Sequence, residues 1–169
     1  MTAARQERKS RSLQGLWRVI FGAAFVGTCL GPVPIGAATT EAIVVNHHTG
    51  LALSGYDPVA YFIDGKAEVG RPELEMRVAG ATWRFRNEGN RAAFGDDPEV
   101  YIPQFGGYDP VAVARGASAP GHPEVWLVLD RRLYLFRSDK ARKVFADNPG
   151  QVLQAAIDRW PDVLRTLTP

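Results

Sequence analysis

From residue 43 onward, apolar residues come in short runs. Each run is closed by Gly, Pro, Asn, Asp or Ser, so the pattern predicts short strands and helices joined by tight turns. Residues 43–46 and 51–53 predict a small hairpin around His48-Thr49-Gly50. Asp57-Pro58 predicts a turn, and 59–63 a strand closed by Asp64-Gly65. Residues 74–79 and 82–86 predict a hairpin around Gly80-Ala81. Asn87 is placed to cap a helix reaching Phe94, and Asp97-Pro98 to start another turn of helix with Pro first. Further on, 125–129 and 133–136 flank Asp130-Arg131-Arg132, and Ser138 can cap a helix to Ala146. Residues 149–160 predict a longer amphipathic helix, with Val152, Ala155, Ala156 and Trp160 on one face for packing onto the sheets. Residues 161–167 predict one more helix.

The second half of this series repeats the first. Gly55-Tyr56-Asp57-Pro58-Val59-Ala60 recurs as Gly107-Tyr108-Asp109-Pro110-Val111-Ala112, 52 residues later. A shift of 51 then places Gly70 on Gly121, Pro72-Glu73 on Pro123-Glu124, Trp83-Arg84-Phe85-Arg86 on Tyr134-Leu135-Phe136-Arg137, and Phe94 on Phe145. The shared positions are mostly turn formers and large apolar residues, which set a backbone path and fill a core. Duplication of a structural unit accounts for that selection. The expected fold is α+β: two small β-hairpin-plus-helix units packed as one body, with a C-terminal helix. The expected divisions are a signal peptide at 1–38, an N-terminal hairpin at 39–54, a first unit at 55–102 and a second at 103–169.

The N-terminus changes how composition is read. Arg5, Arg8, Lys9, Arg11 and Arg18, opposed only by Glu7, precede a 12-residue apolar run at 19–30. Gly31-Pro32-Val33-Pro34 and Gly36-Ala37-Ala38 follow. A charged lead, a short apolar core and small residues describe a secretory signal peptide, with cleavage expected near Ala38. Twelve residues fall short of the roughly 20 needed to span a bilayer. A retained membrane anchor is the alternative, but no stable span is expected after cleavage. The mature chain is thus expected to be periplasmic or secreted. The full chain has 20 basic and 18 acidic residues; with five and one of these in 1–38, the remainder carries 15 and 17, a net charge of −2. Nucleic-acid binding loses its electrostatic support. The one cysteine, Cys29, leaves with the signal, so the mature chain has no disulfide, thiolate metal site or thioether haem.

Asp57-Pro58-Val59-Ala60, then Ala81-Thr82-Trp83-Arg84-Phe85-Arg86-Asn87, then Asn90, Phe94, Pro98 and Tyr101 resemble the YHS domain. Residues 55–62 and 103–108 are similar to the Gly-Tyr-Asp-Pro-Val-Ala-Tyr-Phe and Pro-Gln-Tyr-Gly-Gly-Tyr segments of exported bacterial members. The likeness covers about Leu51 to Trp160. It implies the duplicated scaffold and an exported protein, and it says little about activity. The family's cysteine positions hold Ala60, Arg86 and Asn90 here, and Ala112, Arg137 and Ala141 in the second unit. Asp109 stands where exported members often carry another Cys. The soft-metal chemistry suspected for the family rests on thiolates and does not carry over.

Three groups of residues are candidates for chemistry. His47 and His48 suit copper or zinc if a third ligand joins them, or form a polar hairpin turn. Asp57 and Asp109 either meet across a pseudo-twofold axis, to share a proton or hold a hard cation, or cap their own turns. Tyr56, Tyr61, Trp83, Tyr101, Phe105 and Tyr108 lie around the glycine-rich join at Gly106-Gly107 and either line a pocket for a flat ligand or fill the core. The expected ligand-binding set is Tyr56, Asp57, Trp83, Phe105, Gly107, Tyr108 and Asp109. Arg86 and Arg137 either bind an anion or, as the expected arrangement, pair with Glu73 and Glu124. His122 is expected in a loop. No serine sits in a nucleophile motif and no phosphate loop is present.

These features point to an exported, soluble binding or accessory protein without catalytic activity, whose target is a periplasmic protein or a small ligand. Copper or zinc handling through His and Asp ligands is the alternative. An enzyme using the Asp pair is a second alternative.

Overall fold

A computed structural model describes residues 43–167. The expected signal segment and its cleavage site lie outside the described residues, as does Cys29. Within them one series of elements is laid down twice. The first copy has a left-handed turn at Leu53–Gly55, helix α1 (Ala60–Ile63), strands β1 (Arg71–Val78) and β2 (Ala81–Phe85), and helices α2 (Glu88–Asp96) and α3 (Pro98–Tyr101). The second has a left-handed turn at Gln104–Gly107, helix α4 (Pro110–Val113), strands β3 (His122–Leu129) and β4 (Arg132–Phe136), and helices α5 (Asp139–Asp147) and α6 (Pro149–Leu167). Each strand pair is a two-stranded antiparallel sheet, so the α+β architecture stands.

The duplication reaches individual atoms. Ladder register slips between Arg71 and Glu75 in one hairpin and between His122 and Trp126 in the other. Tight turns close both hairpins with two successive positive-φ residues, Ala79-Gly80 (52°, 78°) and Asp130-Arg131 (50°, 57°), the twist that two-residue hairpin loops favour. Asn87 caps α2 by accepting from Asn90 N–H, and Ser138 caps α5 by accepting from Ala141 N–H. Each copy packs two rings of its second strand on the helical Phe: Trp83 and Phe85 on Phe94, and Tyr134 and Phe136 on Phe145.

Three expectations are corrected. Where a strand over 59–63 is expected, residues 60–63 form helix α1 with Val59 at its N-cap. The Asp57 side chain takes the Val59 N–H, and Phe62, Ile63 and Asp64 then donate back to Val59 and Ala60 carbonyls, closing helical bonds. The hairpin over 43–53 contracts to the single bridge Val45↔Ala52. Ala52 N–H instead donates to Thr82 O at 2.9 Å, and Val44 N–H to Gly106 O at 2.8 Å, so the segment stitches onto both copies. The two expected C-terminal helices are one, α6, with Pro161 inside it. Ala156 and Val163, on either side of that proline, are both buried against Val113, so packing carries the helix through. Its apolar stripe therefore rests on α4 as well as on the second sheet, where Val152 and Leu153 meet the Tyr134–Phe136 cluster.

The largest core cluster crosses the copies. Trp83, Phe85, Phe94 and Tyr61 are buried with Leu133 and Leu135 of β4, and Trp126 and Val128 of β3 pack against them. Tyr61 Oη donates to Pro123 O at 3.0 Å, and its ring meets Trp126 edge-on at 5.2 Å. Each fully buried aromatic contributes about 1.5–3 kcal/mol by removal from water. The rings of the first copy are thus covered in part by the second.

Candidate ligand-binding cleft

The two left-handed turns bring backbone and aromatic rings to one place. Residues Leu53, Ser54 and Gly55 have φ of 52°, 51° and 88°, and Phe105, Gly106 and Gly107 have 54°, 61° and 92°. Such a run leads sharply away from the preceding strand-like segment, leaving Tyr56 and Tyr108 at equivalent exits. Behind each turn a glycine comes in close: Gly70 N–H donates to Gly55 O, and Gly121 N–H to Gly107 O, both at 2.9 Å.

Between the turns lies a cavity of about 500 Å³. Its walls are largely apolar: Ile43, Val45, Leu53, Trp83, Pro103 and Leu135. Ser54, Tyr56, Tyr108, Asn46, His47, His122 and Glu124 add polar groups. Beside this cavity the copies differ at one pair of equivalent positions. In the first, Arg84 lies over the turn glycine Gly55 and is fixed there by Glu75 (Nε to Oε1, 2.7 Å). In the second, the shorter Leu135 lies over Gly107.

At the mouth, Tyr56 Oη donates to Glu124 Oε1 at 3.2 Å. His122 Nδ1 accepts from Glu124 N–H at 3.3 Å and stands 4.0 Å from Glu124 Oε2. Burial, then the hydrogen bond and charge of Glu124, push the Tyr56 phenol above its usual range. Burial does the same for Tyr108. Comparison with family models, with curated proteins and with solved structures returns no match.

Of the residues expected to bind a ligand, Tyr56, Trp83, Gly107 and Tyr108 line the cleft. Phe105 does not; its ring meets Trp160 of α6 edge-on at 5.5 Å. Asp57 and Asp109 do not meet each other and do not face the cleft. Both are fully buried, and each serves its own copy. Asp57 accepts from Val59 N–H, Arg86 N–H and Asn90 Nδ2; Asp109 accepts from Val111 N–H and Arg137 N–H. Their oxygens are occupied by backbone donors, which describes turn capping. His47 lines the cleft, whereas His48 lies in the exposed turn with its N–H on Asn46 Oδ1. Among the described residues, no group of three or more His, Cys, Asp or Glu side chains is placed to hold a metal ion. The expected arginine pairs are rearranged: Arg86 Nη1 bonds Asp64 Oδ2 at 2.8 Å instead of Glu73, and Glu124 takes Tyr56.

Ser54, Leu135, Glu124 and the segment 43–46 are cleft residues that sequence reasoning missed as such. The signal for one was visible: at the 51-residue offset Arg84 is replaced by Leu135, a charged residue lost from an otherwise conservative strand.

Proposed function

We propose that this chain is an exported, soluble, non-catalytic binding protein on a duplicated YHS-like scaffold, and that it holds a small, largely apolar ligand in the cleft between the copies. The observation that carries the reading is the cavity of about 500 Å³. Its size falls within the roughly 300–1,000 Å³ of small-molecule sites, and its apolar walls with a few convergent polar groups fit the same class. Export is supported by the basic lead, apolar run and small residues of 1–38. The absence of catalysis is supported by the chemistry of the best acid candidates, since Asp57 and Asp109 are spent on backbone donors.

The test is purification of the chain from its native compartment, with mass spectrometry of what stays bound. The expected result is a small organic molecule that is lost when Ser54→Phe or His47→Trp fills the cleft from its exposed edge. An empty wild-type protein whose cleft resonances respond to no member of a metabolite library would overturn the reading. Stoichiometric copper or zinc that disappears in His47→Ala/His48→Ala would replace it with metal handling.

A further inference from the structure

The polar groups of the cleft are not balanced in charge. Among the described lining residues, Glu124 is the one Asp or Glu, and there is no Lys or Arg. At the equivalent position of the first copy a cation of the chain itself, Arg84, lies beside the turn glycine Gly55 with Glu75 as its partner, whereas the uncharged Leu135 lies beside Gly107 and lines the cleft. The rings of Tyr56 and Tyr108 line the cleft, and aromatic faces attract cations. Glu124 is held at the mouth by Tyr56 Oη on one oxygen and approached by His122 on the other. An anionic ligand would meet a carboxylate and no fixed cation. A neutral one would gain no Coulomb attraction from that carboxylate.

We infer that the cleft selects a small organic cation, an amine or quaternary ammonium on an apolar body, with Glu124 as counter-ion and the tyrosine rings around the charged nitrogen. This rests on the cleft being a ligand site, as proposed above. The apolar body lies along Leu53, Leu135 and Pro103, and the cationic head stays at the mouth, where it need not be fully dehydrated.

The experiment uses three probes of one skeleton near neutral pH: 4-phenylbutylamine, 4-phenylbutan-1-ol and 4-phenylbutyrate. Binding to the full mature chain is followed by calorimetry and by amide shifts of cleft residues. The amine is expected to bind at least about fivefold tighter than the alcohol, as a partly exposed ion pair with cation–π support should give, and the carboxylate weakest. Glu124→Gln keeps an oxygen to accept from Tyr56 and removes only the charge. It should bring the amine to the affinity of the alcohol and leave the alcohol unchanged. Equal affinities for all three, or an amine preference that survives Glu124→Gln, would overturn the cation selection while leaving the cleft a ligand site. Failure of all three probes, with cleft resonances unmoved, would overturn it too. The bound-ligand analysis of the native protein then decides whether the cleft reading falls with it.

Discussion

Asp57 and Asp109 are the same residue used twice, and they differ by one bond. Each carboxylate ties the start of its short helix to the end of its second strand, Asp57 through Val59 and Arg86 N–H at 2.8 Å each, and Asp109 through Val111 at 2.8 Å and Arg137 at 3.1 Å. Only Asp57 also accepts from Asn90 Nδ2, at 2.7 Å, because Ala141 stands at that place in the second copy. Truncation to Ala strands these donors, at about 1–3 kcal/mol for each buried group left unpaired. Asp57→Ala should cost about 3 kcal/mol and Asp109→Ala about 1 kcal/mol less. Urea denaturation of both variants and of Asn90→Ala measures this; equal losses at the two aspartates would show that the third bond contributes nothing.

Gly70 and Gly121 tolerate no side chain for reasons of space. A Cβ on Gly70 would lie 2.6 Å from the Arg84 carbonyl carbon and 2.7 Å from Phe85 N, and one on Gly121 would lie 2.8 Å from the Leu135 carbonyl carbon. Backbone cannot yield as a side-chain tip can, so Ala at either site should cost about 3 kcal/mol. Gly65 and Gly116 are also equivalent, but nothing lies within 4 Å and only their φ of 62° and 77° resists a side chain. Ala there should cost about 1 kcal/mol. Thermal unfolding of the four variants should sort them by pair type and not by copy.

Much of this architecture was legible because the repeated residues are those whose physics is local. Turn glycines, Asn87 and Ser138 caps, and strand pairs with an internal turn read directly from the chain. The helix at Ala60–Ile63 was missed although Asp57-Pro58 is the same cap-then-proline signal that marks Asp97-Pro98. A four-residue apolar run offers too little period to tell helix from strand, and Asp57 reads equally as a turn former or as half of a carboxylate pair. The cleft was harder still. It is lined by Leu135, by 43–46 bonded across to Gly106, and by Glu124 bonded to Tyr56, and all of these are long-range choices. The aromatic candidates divided accordingly: Trp83 serves both core and cleft wall, and Phe105 serves α6.

The copies should not unfold separately. Trp126 and Leu135 of the second copy are packed into the cluster built around Trp83 of the first, and Tyr61 bonds across to Pro123. Unfolding the first copy would expose Trp126 and Leu135 of the second, so the two are expected to melt together even though Tyr134, Phe136 and Phe145 form a further cluster within the second copy. Tryptophan fluorescence of residues 39–169, a chain that lacks Trp17, reports Trp83, Trp126 and Trp160; it and far-ultraviolet circular dichroism should give superimposable urea transitions. A first transition that spares α6, seen in Trp160 alone after Trp83→Phe and Trp126→Phe, would show two independent bodies.

Alkaline pH should destabilise the fold through its tyrosines. Burial, as the largest cause, pushes the phenols of Tyr56, Tyr61, Tyr108 and Tyr134 above their ordinary value of 10.0, Tyr61 furthest. Below about pH 10 both folded and unfolded chains keep these protons, so the stabilisation is fully present. Above it the unfolded chain loses them first. It then binds fewer protons than the native state, and stability falls by about 1.4 kcal/mol per pH unit for each phenol still protonated in the fold. Tyr61→Phe removes the hydroxyl that donates to Pro123 O, at a cost of about 1 kcal/mol near neutral pH. The same change removes the steepest contributor to the alkaline limb. The deficit of the variant should therefore shrink above about pH 10 and reverse by about pH 11–12. Urea midpoints of parent and variant at steps across that range measure it, and a deficit that stays constant would mean that Tyr61 ionises as readily in the fold as out of it.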